Sequence, residues 1–350
     1  MAITGEEIVY ARKKGTVWGT PTVCGVGHGF LGLGVTADPE YNDQVDDSLG
    51  QLFAVESSPG DTKLDVSIPF YMRFNDAVIW AMIAEFMGTA GVPVTHAAGT
   101  ISKDHTLKIA KKTDGLYSSF LANLGGAFIE EVPSFKISKY VVTWETGKPV
   151  HAVVSGPGFD LIIDSETNTL ITAAAVTILE RKNRSYMAQT EIRMNDASGI
   201  ALAAGDKIGP SKVVLTAERK LTGHTGTFVS KGREVIDEPT NDGAFTSTLS
   251  MTFPRTVDAA GRAKIQSNTS QKCEIITTGP AIEGAIFYLI KHQFPNLVPS
   301  KNSNPHKKGN IELTKEYAVL GADTAPTGMT GNTDPFWIFL TNKIVTDLLA

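Results

Sequence analysis

Residues 64–88, LDVSIPFYMRFNDAVIWAMIAEFMG, constrain the fold more than any other stretch of the chain. Leu64, Val66, Ile68 and Phe70 recur at every second position, with Asp65 and Ser67 between them, which is the period of a half-buried strand. Asn75 or Asp76 is placed to cap a helix, and Val78, Ile79, Met82, Ile83 and Phe86 then form one stripe at helical spacing that Gly88 can end. Glu85 is the only charge after the cap. A helix this apolar must lie against something large, most simply the face of its own sheet.

A fainter copy of this unit follows about half a chain later. Leu249, Ser250, Met251, Thr252 and Phe253 echo residues 66–70, and Ile286, Phe287, Tyr288, Leu289 and Ile290 echo the helix core at 79–83. Each strand has a similar approach, with Glu56 and Pro59 before the first and Glu238 and Pro239 before the second. An alternating strand follows each helix, at 106–110 and at 311–315. Four echoes in the same order read as an internal duplication, with an insertion between Pro254 and Gly279 in the second copy. The expected organisation is an extended N-terminal arm at 1–36, a first domain at 37–170, a charged linker at 171–184 and a second domain at 185–350.

The length of 350 residues suits two domains with real cores. Glycine is abundant, with 33 residues, and favours turns and short strands, so the expected class is mainly β (α+β) with one helix flanking each domain. A net charge of -5 argues against a protein that grips nucleic acid. Cys24 and Cys273 are too few and too far apart for a disulfide framework or a zinc site, so folding in a reducing compartment is expected. The charged start predicts no leader, and no apolar run reaches membrane-spanning length.

The opening arm is glycine-punctuated and carries Trp18, Phe30 and Leu31, apolar residues that need a neighbour to cover them. Residues 27–32, GHGFLG, match the bare dinucleotide pattern, but Gly34, Asp38 and Pro39 leave no room for the helix the pattern requires. Residues 37–63 form a long acidic loop whose Asp43, Asp46 and Asp47 lack the ligand spacing and closing glutamate of a calcium loop, so a solvated or partner-contacting loop is expected.

Downstream, 104–112 and 119–124 are predicted to form a hairpin across Thr113, Asp114 and Gly115, and 135–145 another with 149–154 across Thr146, Gly147 and Lys148. The slip at Ser138 and Lys139 reads as a bulge or a change of face. Glu130 and Glu131 read as a solvated strand edge before Pro133. The apolar run at 336–340 must be buried against the second domain or a neighbouring subunit.

The search for chemistry returns no catalytic, cofactor-binding or metal-binding set. The histidines form no HExxH or HxH arrangement, and no nucleophile elbow or phosphate-binding loop occurs. Cys24 and His28 could pair as nucleophile and base, but they sit in a glycine-rich arm with nothing evident in sequence to hold them. The pattern is that of a structural protein rather than an enzyme.

The order of long loop, strand, single helix and paired strands, with the stretches DDSLG at 46–50, SKVVLTAERKL at 211–221 and EPTNDGAF at 238–245, resembles the major tail tube proteins of long-tailed bacteriophages. The resemblance is patchy and covers most of 40–320. It implies two tandem β-sandwich or barrel domains whose strands join those of neighbouring subunits into a ring-shaped β-barrel. Rings stack into a hollow tube through which DNA passes without specific binding. The implied partners are further copies of the chain, a tape measure protein and tail terminator or distal tail proteins, with assembly in the host cytoplasm and a final place in the virion.

Six tube domains per ring is the family's usual number, so a duplicated chain implies trimers with pseudo-sixfold symmetry, or six chains if the duplication is not real. Loops and arms that bridge rings in that family point here to Asp43, Asp46, Asp47, Leu49, Gln51 and Phe53, and to Trp18, Phe30 and Leu31. A two-domain β-sandwich binding module, such as an adhesin or carbohydrate-binding protein, is the alternative, and it predicts a stable monomer.

Overall fold

The computed structural model describes residues 8–41, 44–45, 57–58, 62–90, 92–223, 237–254, 263–264, 266–303 and 312–350. Its main strands are β1 (Ile8–Lys14), β2 (Gly29–Phe30), β3 (Thr36–Tyr41), β4 (Thr62–Tyr71), β5 (Lys103–Ile109), β6 (Ser118–Leu124), β7 (Phe128–Phe135), β8 (Lys139–Glu145) and β9 (His151–Gly158). There follow β10 (Thr190–Asp196), β11 (Lys212–Glu218), β12 (Thr246–Pro254), β13 (Gln271–Glu283), β14 (Ile286–Ser303), β15 (Glu312–Leu320) and β16 (Trp337–Asn342). The described α-helices are α1 (Ala77–Met87) and the single turn α2 (Leu170–Ala173). The protein is mainly β, as its composition and alternation predict.

The strand and helix read from 64–88 form as expected. Leu64, Val66, Ile68 and Phe70 on β4 are all buried. Asp76 caps α1, its carboxylate accepting from the Val78 and Ile79 amides at 3.1 and 3.2 Å, and Gly88 ends the helix in the left-handed region at φ 82°. Every helical residue from Val78 to Met87 is buried, so α1 is enclosed on all sides rather than laid on one sheet face. Glu85 is buried with it, accepting from Ser118 Oγ on β6 at 2.7 and 2.8 Å and from the Arg12 guanidinium on β1. A carboxylate inside the core is tolerated because it is both paired and hydrogen-bonded.

The C-terminal end of α1 is held from the other half of the sequence. Arg219, just beyond β11, is buried and donates to the carbonyls of Phe86, Met87 and Ala110 at 2.7, 3.0 and 2.9 Å. Its cation meets the negative end of the helix dipole and also lies over the rings of Phe86 and Phe245. Burial lowers its pKa to about 10, which leaves it charged at neutral pH.

One antiparallel run of strands crosses both halves of the chain in the order β3, β4, β9, β8, β11, β12, β15, β14. The β8–β11 ladder joins residues on either side of 171–184, and one hydrophobic cluster contains core residues from both halves. Residues 171–184 thus link two parts of a shared core. A second layer is made by β5, β16, the first part of β14, β13 and β10. The strand β14 belongs to both layers: Leu289–Gln293 pair with β16 and Asn296–Ser303 with β15, the change falling at Pro295. The sheet does not close into a barrel within the chain.

Several expectations are corrected. The helix predicted around 286–290 is the start of β14, with Tyr288 and Ile290 buried and Phe287 exposed. Branched and aromatic side chains favour a strand there, and its backbone pairs with β13 from Ile286 and also with β16 from Leu289 onward. The strand half of the duplication echo therefore holds in β12 while the helix half does not. The expected hairpin between 104–112 and 119–124 is absent: β5 pairs with β16, whereas β6 pairs with β1 and β7. Its turn exists, with Gly115 at φ 75°, but it carries the chain between ladders, and the Gly115 amide donates to the Glu238 carboxylate.

The slip at Ser138 and Lys139 is such a passage too, from β7 to β8, held by Lys136 N to Pro157 O at 3.0 Å and Ser138 N to Ser155 O at 2.9 Å. The hairpin of β8 with β9 is as predicted. The run at 336–340 lies in and just before β16, which packs between β14 and β5 and so joins the two halves.

From Ile8 onward the N-terminal segment is tied into the sheet. All seven residues of β1 pair with β6, from Ile8 opposite Leu124 to Lys14 opposite Ser118. Residues 36–41, expected partly as loop, form β3 against β4, and Pro39 is compatible with this because β3 pairs on one side only among the described residues. Glu131 is not a solvated edge: it is buried in β7, where Asn168 Nδ2 donates to it and burial raises its pKa.

Replacing Arg219 with methionine removes a donor from three carbonyls, of which Met87 O keeps the Ala110 amide at 2.7 Å, while retaining much of the side-chain volume. The expected loss is about 2–4 kcal/mol of stability, read as a lower urea midpoint at unchanged m value. An unchanged midpoint would show that the helix end does not depend on this cation.

Candidate assembly interface

The candidate contact surfaces are the outer strands of the sheet and the two ends of β4. The β3 strand pairs with β4 along one side, and among the described residues its other edge is open. Pro39 and Asp38 occupy that edge strand, a composition that discourages indiscriminate strand addition. The strand β10 pairs fully with β13 on one side, and on the other only Ile192 and Arg193 pair, with Ile208 and Lys207. The ends of β10 are closed locally, the Thr190 amide donating to Met187 O and the Asp196 carbonyl accepting from the Gly199 amide at 2.8 Å, so that only a short stretch around Met194 has no ladder on its outer side among the described residues.

Beyond the β3–β4 ladder, Gln44–Val45 pairs with Ser57–Ser58, so the base of the acidic 37–63 stretch is a narrow antiparallel stem. Asp43, Asp46, Asp47, Leu49, Gln51 and Phe53 lie outside the described residues. The three predicted arm residues are placed within the chain. Phe30 is buried, its ring 5.9 Å from Tyr10 and 6.4 Å from Phe120. It is spent on the chain's own core because β1 and β2 complete the edge of β6. Trp18 packs edge-on against Tyr117 at 5.3 Å and Phe159 at 6.4 Å, and like Leu31 it remains partly exposed.

At the opposite end of β4 the chain meets a basic turn where the charge run at 180–184 predicts only a linker. The Arg73 backbone bridges to Arg184, and Phe74 N donates to Asn183 O at 3.1 Å. The buried Arg73 guanidinium reaches the carbonyls of Arg181 and Lys182 at 2.8 and 3.1 Å. Glu180 closes the turn by accepting from the Lys182 amide at 2.7 Å, and Asn183 sits in the left-handed region at φ 55°. The turn is thus tied to the core while the side chains of Arg181, Lys182 and Arg184 are exposed. They line a cleft of about 620 Å³ with Tyr186, Gln189 and Pro280. The signal available in sequence was the charge run itself, but nothing local revealed that Arg73 fixes it from 108 residues away.

The residues that might have carried chemistry do other things. Burial pushes the Cys24 thiol up to about 12, and His28 Nδ1 accepts from the Gly25 amide at 3.0 Å instead of facing the thiol. The GHGFLG stretch runs into β2, not a helix. Among the described residues no group of three or more histidine, cysteine or acidic side chains is arranged to hold a metal ion. No described helix is long and apolar enough to cross a membrane. No protein-family model and no curated protein sequence matches this chain.

The N-cap of α1 beside the basic turn is titratable. Burial raises the Asp76 pKa to about 6 from the ordinary 3.8, outweighing the two amide hydrogen bonds and the nearby Arg73, which lower it. The folded chain therefore holds this proton more tightly than the unfolded one, so the contribution of Asp76 falls as pH rises from about 4 to 6 and is flat outside that window. Asp76→Asn keeps the acceptor and removes the titration. Urea unfolding at a series of pH values is expected to show a shallower decline between pH 4 and 6 for the variant than for the parent, and parallel curves would count against the raised pKa.

Proposed function

We propose that the protein is a structural subunit of a phage tail tube, assembling into stacked rings that form the conduit for DNA. The observation that carries this reading is a mainly antiparallel sheet that stays open within the chain and ends on β3, whose outer edge has no ladder among the described residues, and on β10, whose outer edge pairs only at Ile192 and Arg193. An edge of this kind gains backbone hydrogen bonds when a neighbouring copy continues the ladder, and a ring of copies leaves no end over. The net charge of -5, from 37 acidic against 32 basic side chains, suits a conduit for a polyanion, because the balance does not favour holding it.

In this reading the 37–63 segment, with Asp43, Asp46, Asp47, Leu49, Gln51 and Phe53, makes contacts between rings. Trp18 and Leu31 can add to subunit contacts, since they keep some exposed surface. A tape measure protein and terminator or distal tail proteins would be the other partners, and the virion the place of action. Three chains per ring with pseudo-sixfold symmetry is the proposed stoichiometry.

Native mass spectrometry across a concentration series, with negative-stain electron microscopy of the same samples, tests the proposal. Rings or hollow tubes built from three chains per ring are expected. Six chains per ring would remove the pseudo-sixfold argument and keep the tube. A chain that stays monomeric at every concentration would overturn the reading and favour the binding module.

A further inference from the structure

The acidic segment and the basic turn lie at opposite ends of one strand. Tyr41 pairs with Thr62 where the 42–61 connection leaves β4, whereas Arg73 meets Arg184 just past Tyr71 at the other end. The ten residues of β4 rise about 3.3 Å each, which separates the two ends by roughly 30 Å. In sequence, 37–63 carries Asp38, Glu40, Asp43, Asp46, Asp47, Glu56 and Asp61 against the single cation Lys63. The turn at the far end presents Arg181, Lys182 and Arg184, and no described carboxylate forms an ion pair with any of the three.

We propose that the cationic cleft at Arg181, Lys182 and Arg184 is the receptor for the acidic 37–63 segment of a second copy of this chain. The inference rests on the assembly reading above and names the contact that orders it. Three observations favour this occupant. The charges are complementary, and they sit at opposite ends of β4, so a head-to-tail approach of two copies brings them together. The backbone of the receptor is preorganised, because Arg73 and Glu180 already fix the turn and leave only side chains to be ordered by a partner. Arginine is suited to bidentate carboxylate contacts, and Tyr186 and Gln189 add hydrogen-bonding groups to the same cleft. A contact between unlike ends does not close on itself, so repetition gives an open stack with a defined direction. A phosphodiester backbone is the competing occupant, but one compact cluster lacks the track of cations that gripping a nucleic acid requires.

The test uses the full chain. A fluorescent peptide of residues 37–63 is titrated against the parent protein, against R181E/K182E/R184E, and against Lys182→Glu alone, with duplex DNA as a competitor. Thermal melting confirms that each variant is folded. Saturable binding that weakens about tenfold or more in the triple variant and as salt is raised, together with poor competition by DNA, is expected. Assembly of the triple variant should fail and be restored by adding D43K/D46K/D47K in the same chain. If the triple variant does not fold, the single variant is read in its place, with a smaller loss of peptide affinity expected.

Tubes that form normally from the charge-reversed variant would overturn this inference and leave the tail tube reading standing. A parent chain that neither assembles nor binds the peptide would overturn both. Displacement of the peptide by low concentrations of DNA would assign the cleft to nucleic acid instead.

Discussion

The structure depends on enclosing one apolar helix without leaving its polar ends unsatisfied. A helix exposes unpaired amides at one end and carbonyls at the other, and both become costly once water is excluded. Asp76 answers the first problem locally, from the residue just before the helix. Arg219 answers the second from 132 residues away, by way of the Met87 carbonyl. Glu85, in the middle, is answered by β1 and β6. The helix of the first half is therefore closed at its C-terminal end by a residue that the second half supplies.

That dependence explains why the two halves share one sheet. The β8–β11 ladder runs for seven residue pairs, and it brings the end of β11, and with it Arg219, to the helix terminus. At the other side β16 inserts between β14 and β5, so the last strand of the chain also bridges the halves. The remaining polar tethers follow the same logic. Lys136, itself buried, pairs with Glu238 at 2.5 Å, and Glu238 in turn holds the Gly115 turn. Each of these contacts joins residues from opposite sides of the linker.

What was legible in the sequence was what is encoded locally. The alternation of β4, the cap and stop of α1, the β8–β9 hairpin and the strand at β12 each depend on residues close together in the chain. What was not legible depends on partners far away. Ile286 to Ile290 carry a spacing that fits a helix in isolation, yet flanking ladders draw them into β14. The turn at Gly115 has good hairpin chemistry, but β6 finds a longer partner in β1. Pro39 argues against a strand only until β3 is seen to lie at an edge. At the proposed interface, the acid run at 37–63 was visible as composition, whereas the basic turn is fixed by the buried Arg73 beneath it, which no local signal reveals.

The division of β14 between two layers has a mechanical consequence. Where two layers are joined by side-chain packing alone, a sliding force has only weak, short-range contacts to oppose it. Here part of the strand is bonded to β16 and the rest to β15, so displacing one layer relative to the other pulls along a continuous backbone. Hydrogen bonds on both sides of Pro295 are then loaded together in shear instead of opening one at a time. Stiffness of the fold thus resides in a covalent chain that passes through both layers.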